Sequence, residues 1–188
     1  MRNETLDRFL ERLGSTEPAP GGGGAAAVTT AMAAALVEMA AGLSTDQVED
    51  AAAVAAAASD IRRRALTLAD ADAAAYGQVL AAYRRPKDGD AEARRGAIRQ
   101  ALEEATAVPL EIAGLAADVA ELGGRLVAGG NPNLEGDAAA AVFLARAGAR
   151  AAARLVEINV AAGKLDGDWC DRATVSVARA EAARPTTG

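Results

Sequence analysis

Long alanine-rich runs, of which residues 138–153 are one, constrain the fold of this 188-residue chain more than any other feature. No segment alternates apolar and polar residues for long enough to predict a strand. Hydrophobic residues make up 51% of the sequence but aromatic residues only 3%, so alanine, leucine and valine must form the core. Alanine lets helices approach closely but buries little area, so we expect long, tightly packed helices and a subunit interface that adds burial. The sequence predicts an all-α bundle of antiparallel helices, formed as one domain over residues 1–188 and assembled as a homodimer.

Apolar spacing, together with the positions of glycine and proline, predicts six helices. Their approximate bounds are Glu4 to Leu13, Gly22 to Leu43, Thr45 to Tyr83, Asp90 to Ala128, Pro132 to Ala162 and Asp168 to Ala183. Ser44 and Gln47 are predicted to form a capping box before the third helix. Pro109 is predicted to kink or locally break the fourth helix, and Gly163 is predicted to stop the fifth.

The charge and the residue types restrict the possible functions. A formal net charge of −6 disfavours non-specific binding to nucleic acids and to anionic membranes. The chain contains no histidine and a single cysteine, so we expect no metal site. Any acid–base chemistry must therefore use carboxylates, tyrosine, lysine or ordered water.

Two further observations bear on location. Residues 1–7 lack the basic-then-apolar order of a signal peptide, and a single cysteine gives no sign of secretion. The weakly polar run from Gly24 to Leu43 is mostly alanine and contains Thr29, Thr30 and Glu38, which favours a buried helix over a membrane span. We therefore expect a cytoplasmic protein.

Residues 130–137, with the sequence GNPNLEGD, form the first candidate site. Asn131 is a favourable N-cap, and Pro132 follows at the first helical position, where a missing N–H costs nothing. Glu135 and Asp137 lie in the first turns, where the positive end of the helix dipole favours carboxylates. Ordinary helix capping explains the same pattern, so this segment alone does not establish a function.

Four consecutive glycines, Gly21 to Gly24, form the second candidate site. Glycine is costly inside a helix, but at a helix start it allows the backbone to bend closely around a ligand. The free N–H groups and the helix dipole then favour an anion, while close contact between helices is the alternative explanation. This is not a nucleotide phosphate loop, because no strand precedes it and no Gly-Lys-Ser/Thr follows.

Three other side chains are candidates for binding. Asp72 and Tyr76 are four residues apart and share one helix face, so a carboxylate and a phenol could bind one ligand edge. An interhelical hydrogen bond would explain the pair equally well. Lys87 follows Pro86 in a predicted loop and is one of only two lysines, although a solvated loop lysine is the simpler interpretation.

These segments, taken in order, resemble the cyclodeaminase/cyclohydrolase family. That family includes bacterial methenyltetrahydrofolate cyclohydrolases and the cyclodeaminase domain of formiminotransferase-cyclodeaminase. The motifs are FLERLGS at 9–15, PAPGGGGAAA at 18–27, DAAAY at 72–76, AYRRPK at 82–87, VPLEIA at 108–113, GNPN at 130–133 followed by Asp137, and INV at 158–160. The resemblance spans roughly residues 6–160, and the order of the motifs makes it more specific than any one of them.

The resemblance implies a homodimeric, all-helical enzyme of one-carbon metabolism that hydrolyses 5,10-methenyltetrahydrofolate to 10-formyltetrahydrofolate, with no cofactor beyond this substrate. It implies that Asp137, which follows the Gly-Asn-Pro motif, is the catalytic residue. A carboxylate beside the delocalised cation of the substrate stabilises it and can orient or deprotonate a water molecule. The implied folate-binding residues are Gly21, Gly22, Gly23, Asn131, Asn133, Asp72, Tyr76 and Lys87, the last meeting the carboxylates of the folate.

Three alternatives stay open. Formiminotetrahydrofolate cyclodeaminase activity, which eliminates ammonia, shares a cationic intermediate with the hydrolysis, although a chain without a formiminotransferase part favours the hydrolase. Four positions also depart from the family pattern, because Gly24 and Gly136 replace serine, Leu155 replaces asparagine and Glu157 replaces arginine. These changes remove hydrogen-bond donors and reverse a charge, as expected of an enzyme repurposed for another cyclic or imine metabolite. A non-enzymatic helical binding protein is the third alternative.

Overall fold

The computed structural model describes residues 4–87 and 89–185, and within these ranges it contains helices and no strands. The helices are α1 (Leu6–Leu13), α2 (Gly22–Gly42), α3 (Ala51–Tyr83), α4 (Ala91–Gly129), α5 (Glu135–Gly163) and α6 (Asp168–Ala182), with a short 3-10 helix (Pro132–Leu134) before α5. The predicted all-α class is confirmed, and each predicted helix is present.

Helix α2 lies at the centre of the fold, in contact with α3, α4 and α5. By length and composition it is apolar enough to cross a membrane, but more than half of its apolar stretch is buried against the other helices. Its buried residues include Ala33, Ala34 and Val37, each with no exposed surface. The sequence prediction of a buried helix here agrees with this packing.

Glycine allows α2 and α5 to pack closely. A Cβ atom at Gly148 would lie 2.7 Å from Thr30 Oγ1 and 3.5 Å from the Ala26 carbonyl oxygen. Thr30 is itself fixed, because its buried hydroxyl donates to the Ala26 carbonyl at 2.9 Å. Towards the C-terminal end of α5, the side chain of Leu155 lies beside Gly22, so the two helices run antiparallel.

Replacing Gly148 with alanine is expected to lower the free energy of unfolding by about 1–3 kcal/mol, because the added methyl overpacks a fixed contact. Denaturant unfolding would measure the change. Gly96→Ala, on α4, is the matched control because its Cβ would meet nothing within 4 Å. That control is expected to stabilise the protein by about 0.4–1 kcal/mol. Equal stabilities of the Gly148→Ala protein and the wild type would show that α5 packs less closely against α2 at Gly148 than described.

Three local predictions need correction. The capping box is wrong, because the Ser44 hydroxyl donates to the Ala40 carbonyl at 2.7 Å and α3 begins only at Ala51. Helix α4 continues through Pro109, so it is not broken there, while the alternative of a kink stays a prediction. Helix α5 does end at Gly163, but the left-handed residue that stops it is Lys164, at φ 48°.

Candidate active site

A cavity of about 320 Å³ lies at the N-terminal end of α2, where α3, α4 and α5 meet it. Its volume is in the range of small-molecule sites. Five residues that the sequence predicted as binding residues lie in its wall, namely Gly21, Gly22, Gly23, Asp72 and Tyr76. The remaining lining residues are Pro18, Ala19, Val79, Ala105, Pro109, Leu155, Ile158 and Asn159.

Asp72 reaches from α3 to the first turn of α2. Its carboxylate accepts a hydrogen bond from the backbone N–H of Gly24. Gly21, the N-cap residue of α2, has no side chain that could cap the helix, so Asp72 takes over this role from a neighbouring helix. The carboxylate occupies the space beside Gly23, where any Cβ atom would overlap it. Glycine at position 23 is therefore required for this approach of Asp72.

The environment of Asp72 alters its proton affinity. Burial raises the pKa of its carboxyl group, and the hydrogen bond from the Gly24 N–H opposes this only in part. A carboxyl group with a raised pKa in a cavity can take up and return a proton more readily near neutral pH than an ordinary aspartate can. Asp72 is therefore equipped for acid–base chemistry at this site.

The wall facing Asp72 is mainly apolar and includes residues that the sequence did not predict as site residues. Asn159 is the polar exception, and its amide donates to the Ala105 carbonyl at 2.9 Å. Asn159 belongs to the INV motif, but a motif on a helix does not by itself reveal which side chains face a cavity. Pro109 was the one sequence signal that pointed to Asn159. A proline leaves the carbonyl four residues earlier, that of Ala105, without its helical donor, and Asn159 donates to this carbonyl.

The four departures from the family pattern differ in their relation to this cavity. Leu155 lines it, beside Gly22. Gly24 takes part through its backbone N–H, which a serine would also provide. Glu157 is exposed and pairs with Arg154 at 2.7 Å, and Gly136 lies in the first turn of α5, away from the cavity. Only the change to leucine at 155 therefore makes the cavity wall more apolar.

The Gly-Asn-Pro motif fixes the turn between α4 and α5. Asn131 caps the 3-10 helix as predicted, since its Oδ1 accepts the N–H of Asn133 at 3.0 Å. Its Nδ2 donates to the Leu43 carbonyl at 3.0 Å and its backbone N–H donates to Ser44 Oγ at 2.9 Å. These bonds tie the motif to the C-terminal end of α2, and Asn133 lies beside it with an exposed side chain.

Asp137 lies far from the cavity within one chain. It is half-buried in the first turn of α5, and its carboxylate has no hydrogen-bond or ion-pair partner among the described residues. Helix α5 reaches the cavity only at Leu155, eighteen residues and about 27 Å further along its axis. The residues predicted to form one pocket therefore lie at two places in one chain. The glycines, Asp72 and Tyr76 lie at the start of α2, and the Gly-Asn-Pro motif with Asp137 lies near its C-terminal end. Lys87 lies in the exposed turn after α3, outside the cavity wall.

A wider cavity of about 740 Å³ lies between α4 and α6 and includes Trp169 and Asp171 in its wall. Two of its carboxylates are already engaged, because Glu111 pairs with Arg64 and Asp118 pairs with Arg179. Within the described residues, no group of three or more histidine, cysteine, aspartate or glutamate side chains is arranged to hold a metal ion. The cavity at the start of α2, which contains the Asp72 carboxyl group with its raised pKa, is therefore the better candidate for an active site.

Comparison with known proteins identifies the family. The sequence model described as formiminotransferase-cyclodeaminase matches residues 5–179. The chain belongs to the formiminotransferase-cyclodeaminase family. It is also 40% identical, over 166 residues, to a methenyltetrahydrofolate cyclohydrolase of Methylorubrum extorquens, a match that covers 84% of this chain and 79% of that protein.

A solved structure of the family shares the fold. The crystal structure of formiminotetrahydrofolate cyclodeaminase from Thermotoga maritima superposes with a TM-score of 0.82 and 26% sequence identity. The match covers 97% of this chain and 90% of that one. The family resemblance and the all-helical fold drawn from the sequence motifs are both confirmed.

Proposed function

We propose that this chain is a methenyltetrahydrofolate cyclohydrolase, which hydrolyses 5,10-methenyltetrahydrofolate to 10-formyltetrahydrofolate without a cofactor. The observation that carries the proposal is the carboxyl group of Asp72, set against the glycine start of α2 in a ligand-sized cavity. The 40% identity to a protein named for this reaction supports it.

The reaction needs a group that first accepts and then returns a proton, and Asp72 supplies one. As water adds to the methenyl carbon, ionised Asp72 takes one of its protons and the cation becomes a neutral adduct. Asp72 then returns the proton to N5, the bond between N5 and the carbon breaks, and the adduct hydroxyl loses its proton to solvent. The formyl group stays on N10, and each turnover consumes one water molecule and releases one proton.

Other residues are proposed to bind the rest of the substrate. The apolar wall of Val79, Leu155 and Ile158 suits a flat ring system and strengthens the attraction between Asp72 and the cation by excluding water. Tyr76, at 44% exposure, lies at the edge of the cavity one turn from Asp72. Lys87, in the turn beyond, is proposed to meet the glutamate carboxylates that extend out of the cavity.

A homodimer completes the proposal. One face of α2 is mainly apolar and only partly covered: Met32, Met39 and Leu43 are exposed in its second half, and Ala25 and Val28 are half-buried towards its start. Exposed apolar surface of this extent is typical of an interface, and most homodimers are two-fold symmetric. Antiparallel packing of two such faces would place the C-terminal end of the partner's α2, with the partner's Asp137, beside the cavity of the first chain.

Mixing two inactive variants tests the shared site. Asp72→Asn and Asp137→Asn are each expected to lose activity, and a mixture denatured and refolded together is expected to recover about a quarter of the wild-type rate, since half of the dimers then hold one intact site of two. If Asp137→Asn keeps full activity, or if the mixture recovers none, the partner's Asp137 does not act in this cavity.

Two assays separate the hydrolase from the cyclodeaminase, which the Thermotoga maritima structure keeps as a second candidate. The cyclohydrolase removes the conjugated absorbance of 5,10-methenyltetrahydrofolate faster than buffer does. The cyclodeaminase releases ammonia from 5-formiminotetrahydrofolate. We expect the first activity to dominate. Release of ammonia without faster methenyl hydrolysis would reverse the assignment, and the absence of both would favour a repurposed enzyme or a binding protein.

A further inference from the structure

The proline in the middle of α4 has a consequence for the cavity wall. Pro109 has no N–H to donate to the carbonyl of Ala105, four residues earlier, so that carbonyl loses its usual helical partner. Both residues are buried. The Asn159 side chain from α5 supplies the missing donor, with Nδ2 at 2.9 Å from the carbonyl oxygen.

This contact fixes the orientation of the Asn159 amide. A carbonyl oxygen can only accept, so the amide atom that faces Ala105 must be the nitrogen. Oδ1 must then point the other way, and it receives no hydrogen bond from the described residues. No buried side-chain oxygen or nitrogen in the described part of the chain lacks a partner, so Oδ1 is open to solvent, and Asn159 lines the cavity.

The cavity thus offers at least two hydrogen-bond acceptors in a mainly apolar wall. One is the ionised carboxylate of Asp72 and the other is Oδ1 of Asn159. Because Asp72 is proposed to serve the reacting water, Oδ1 of Asn159 is the acceptor that remains for an N–H donor on a flat, largely apolar ligand. The aminopyrimidine end of a reduced pterin carries such donors on its ring and on its exocyclic amino group.

We propose that Asn159 is a specificity residue that accepts a hydrogen bond from an N–H group of the pterin ring. The carbonyl of Ala105, freed by Pro109, holds it in the accepting orientation. This inference rests on the proposed function, because it assigns one end of the folate to this cavity.

The test compares ligand binding with stability. Titration of 5-formyltetrahydrofolate into Asn159→Leu is expected to give a Kd about tenfold weaker than for the wild type, because a pterin N–H loses its acceptor. Asn159→Leu should also lower the Tm, since the Ala105 carbonyl loses its donor. Gln100→Leu, an amide replacement on α4 outside the cavity wall, is the control and should leave the Kd unchanged.

A second variant separates binding from stability. In Pro109→Ala/Asn159→Leu, residue 109 regains an N–H that can pair with Ala105, so the Tm is expected to recover towards that of the wild type. The Kd should stay about tenfold weaker. Recovery of the Kd together with the Tm would reduce Asn159 to a structural role, and an unchanged Kd in Asn159→Leu would overturn the inference outright.

Turnover measurements distinguish a failure of the proposed reaction from a failure of the proposed role of Asn159. If the wild type hydrolyses 5,10-methenyltetrahydrofolate while Asn159→Leu binds as tightly as the wild type, only the role of Asn159 is overturned. If the wild type does not hydrolyse it but Asn159→Leu still loses binding, the pterin site stands and the proposed reaction is overturned.

Discussion

Asp72→Asn is expected to lower kcat for methenyltetrahydrofolate hydrolysis by about 10²–10⁴-fold, the usual contribution of a general acid–base group. Asparagine keeps an oxygen that can accept the Gly24 N–H, so the start of α2 keeps its hydrogen bond. It cannot take a proton from water or return one to N5. Stopped-flow or steady-state absorbance measures the loss, and a variant with wild-type kcat would remove Asp72 from the mechanism.

The same substitution should not destabilise the fold at neutral pH. Burial raises the pKa of Asp72 in the folded state above its unfolded value, so the protonated form is favoured by folding. That contribution is full below the unfolded pKa and is lost as pH rises through the folded pKa. The neutral asparagine avoids the loss, so Asp72→Asn is expected to equal or exceed the wild type at pH 7. A variant that is less stable at both acidic and neutral pH would instead mark Asp72 as a structural cap.

The ionised form of Asp72 is the one that accepts the proton of water, so kcat/KM should fall on the acid side. The raised pKa moves this fall to a higher pH than for an ordinary aspartate. A plateau that extends down to the usual aspartate range would contradict the assignment of Asp72 as the base.

Gly23→Ala is expected to have the second largest effect, a loss of activity comparable to that of Asp72→Asn. The added methyl group overlaps the Asp72 carboxylate, which must turn away from the Gly24 N–H and from the substrate. The overlap should also lower the free energy of unfolding by about 1–3 kcal/mol. Kinetics and denaturant unfolding measure the two effects.

Two further variants show whether the overlap is the cause. Gly96→Ala, on α4 outside the cavity wall, adds a Cβ atom that would meet nothing within 4 Å, and it should leave activity unchanged. Combining Gly23→Ala with Asp72→Ala removes the carboxylate, so alanine at 23 should then cost little stability while activity stays lost. Purely additive losses of stability would place the effect of Gly23→Ala elsewhere.

The helices could be predicted from the sequence because alanine-rich runs with 3.6-residue spacing leave few other possibilities. Local signals placed Gly22 as the start of α2 and Tyr83 as the end of α3, as observed. The capping box failed because a distant residue, Asn131, donates to the Ser44 hydroxyl, which also bonds Ala40 within its own helix. Such a tertiary hydrogen bond leaves no trace in a local motif.

The candidate site was predicted in part. The glycine run and the pair Asp72 and Tyr76 do share one cavity, because helical spacing put the pair on one face and the family order linked it to the glycines. The distance between Asp137 and this cavity could not be predicted from the sequence. The order of the motifs does not show which end of a long helix each motif lies against. The facing of Leu155 and Asn159 into the cavity depends on how α5 rotates against α2 and α4, which packing decides.

The most direct test of the account is the rate at which purified protein removes the absorbance of 5,10-methenyltetrahydrofolate, compared for wild type, Asp72→Asn and buffer alone. We expect a wild-type rate well above that of buffer and an Asp72→Asn rate reduced by at least about 10²-fold, with the folded state of the variant intact. A wild-type rate equal to that of buffer would contradict the proposed reaction, and equal rates for wild type and variant would contradict the proposed site.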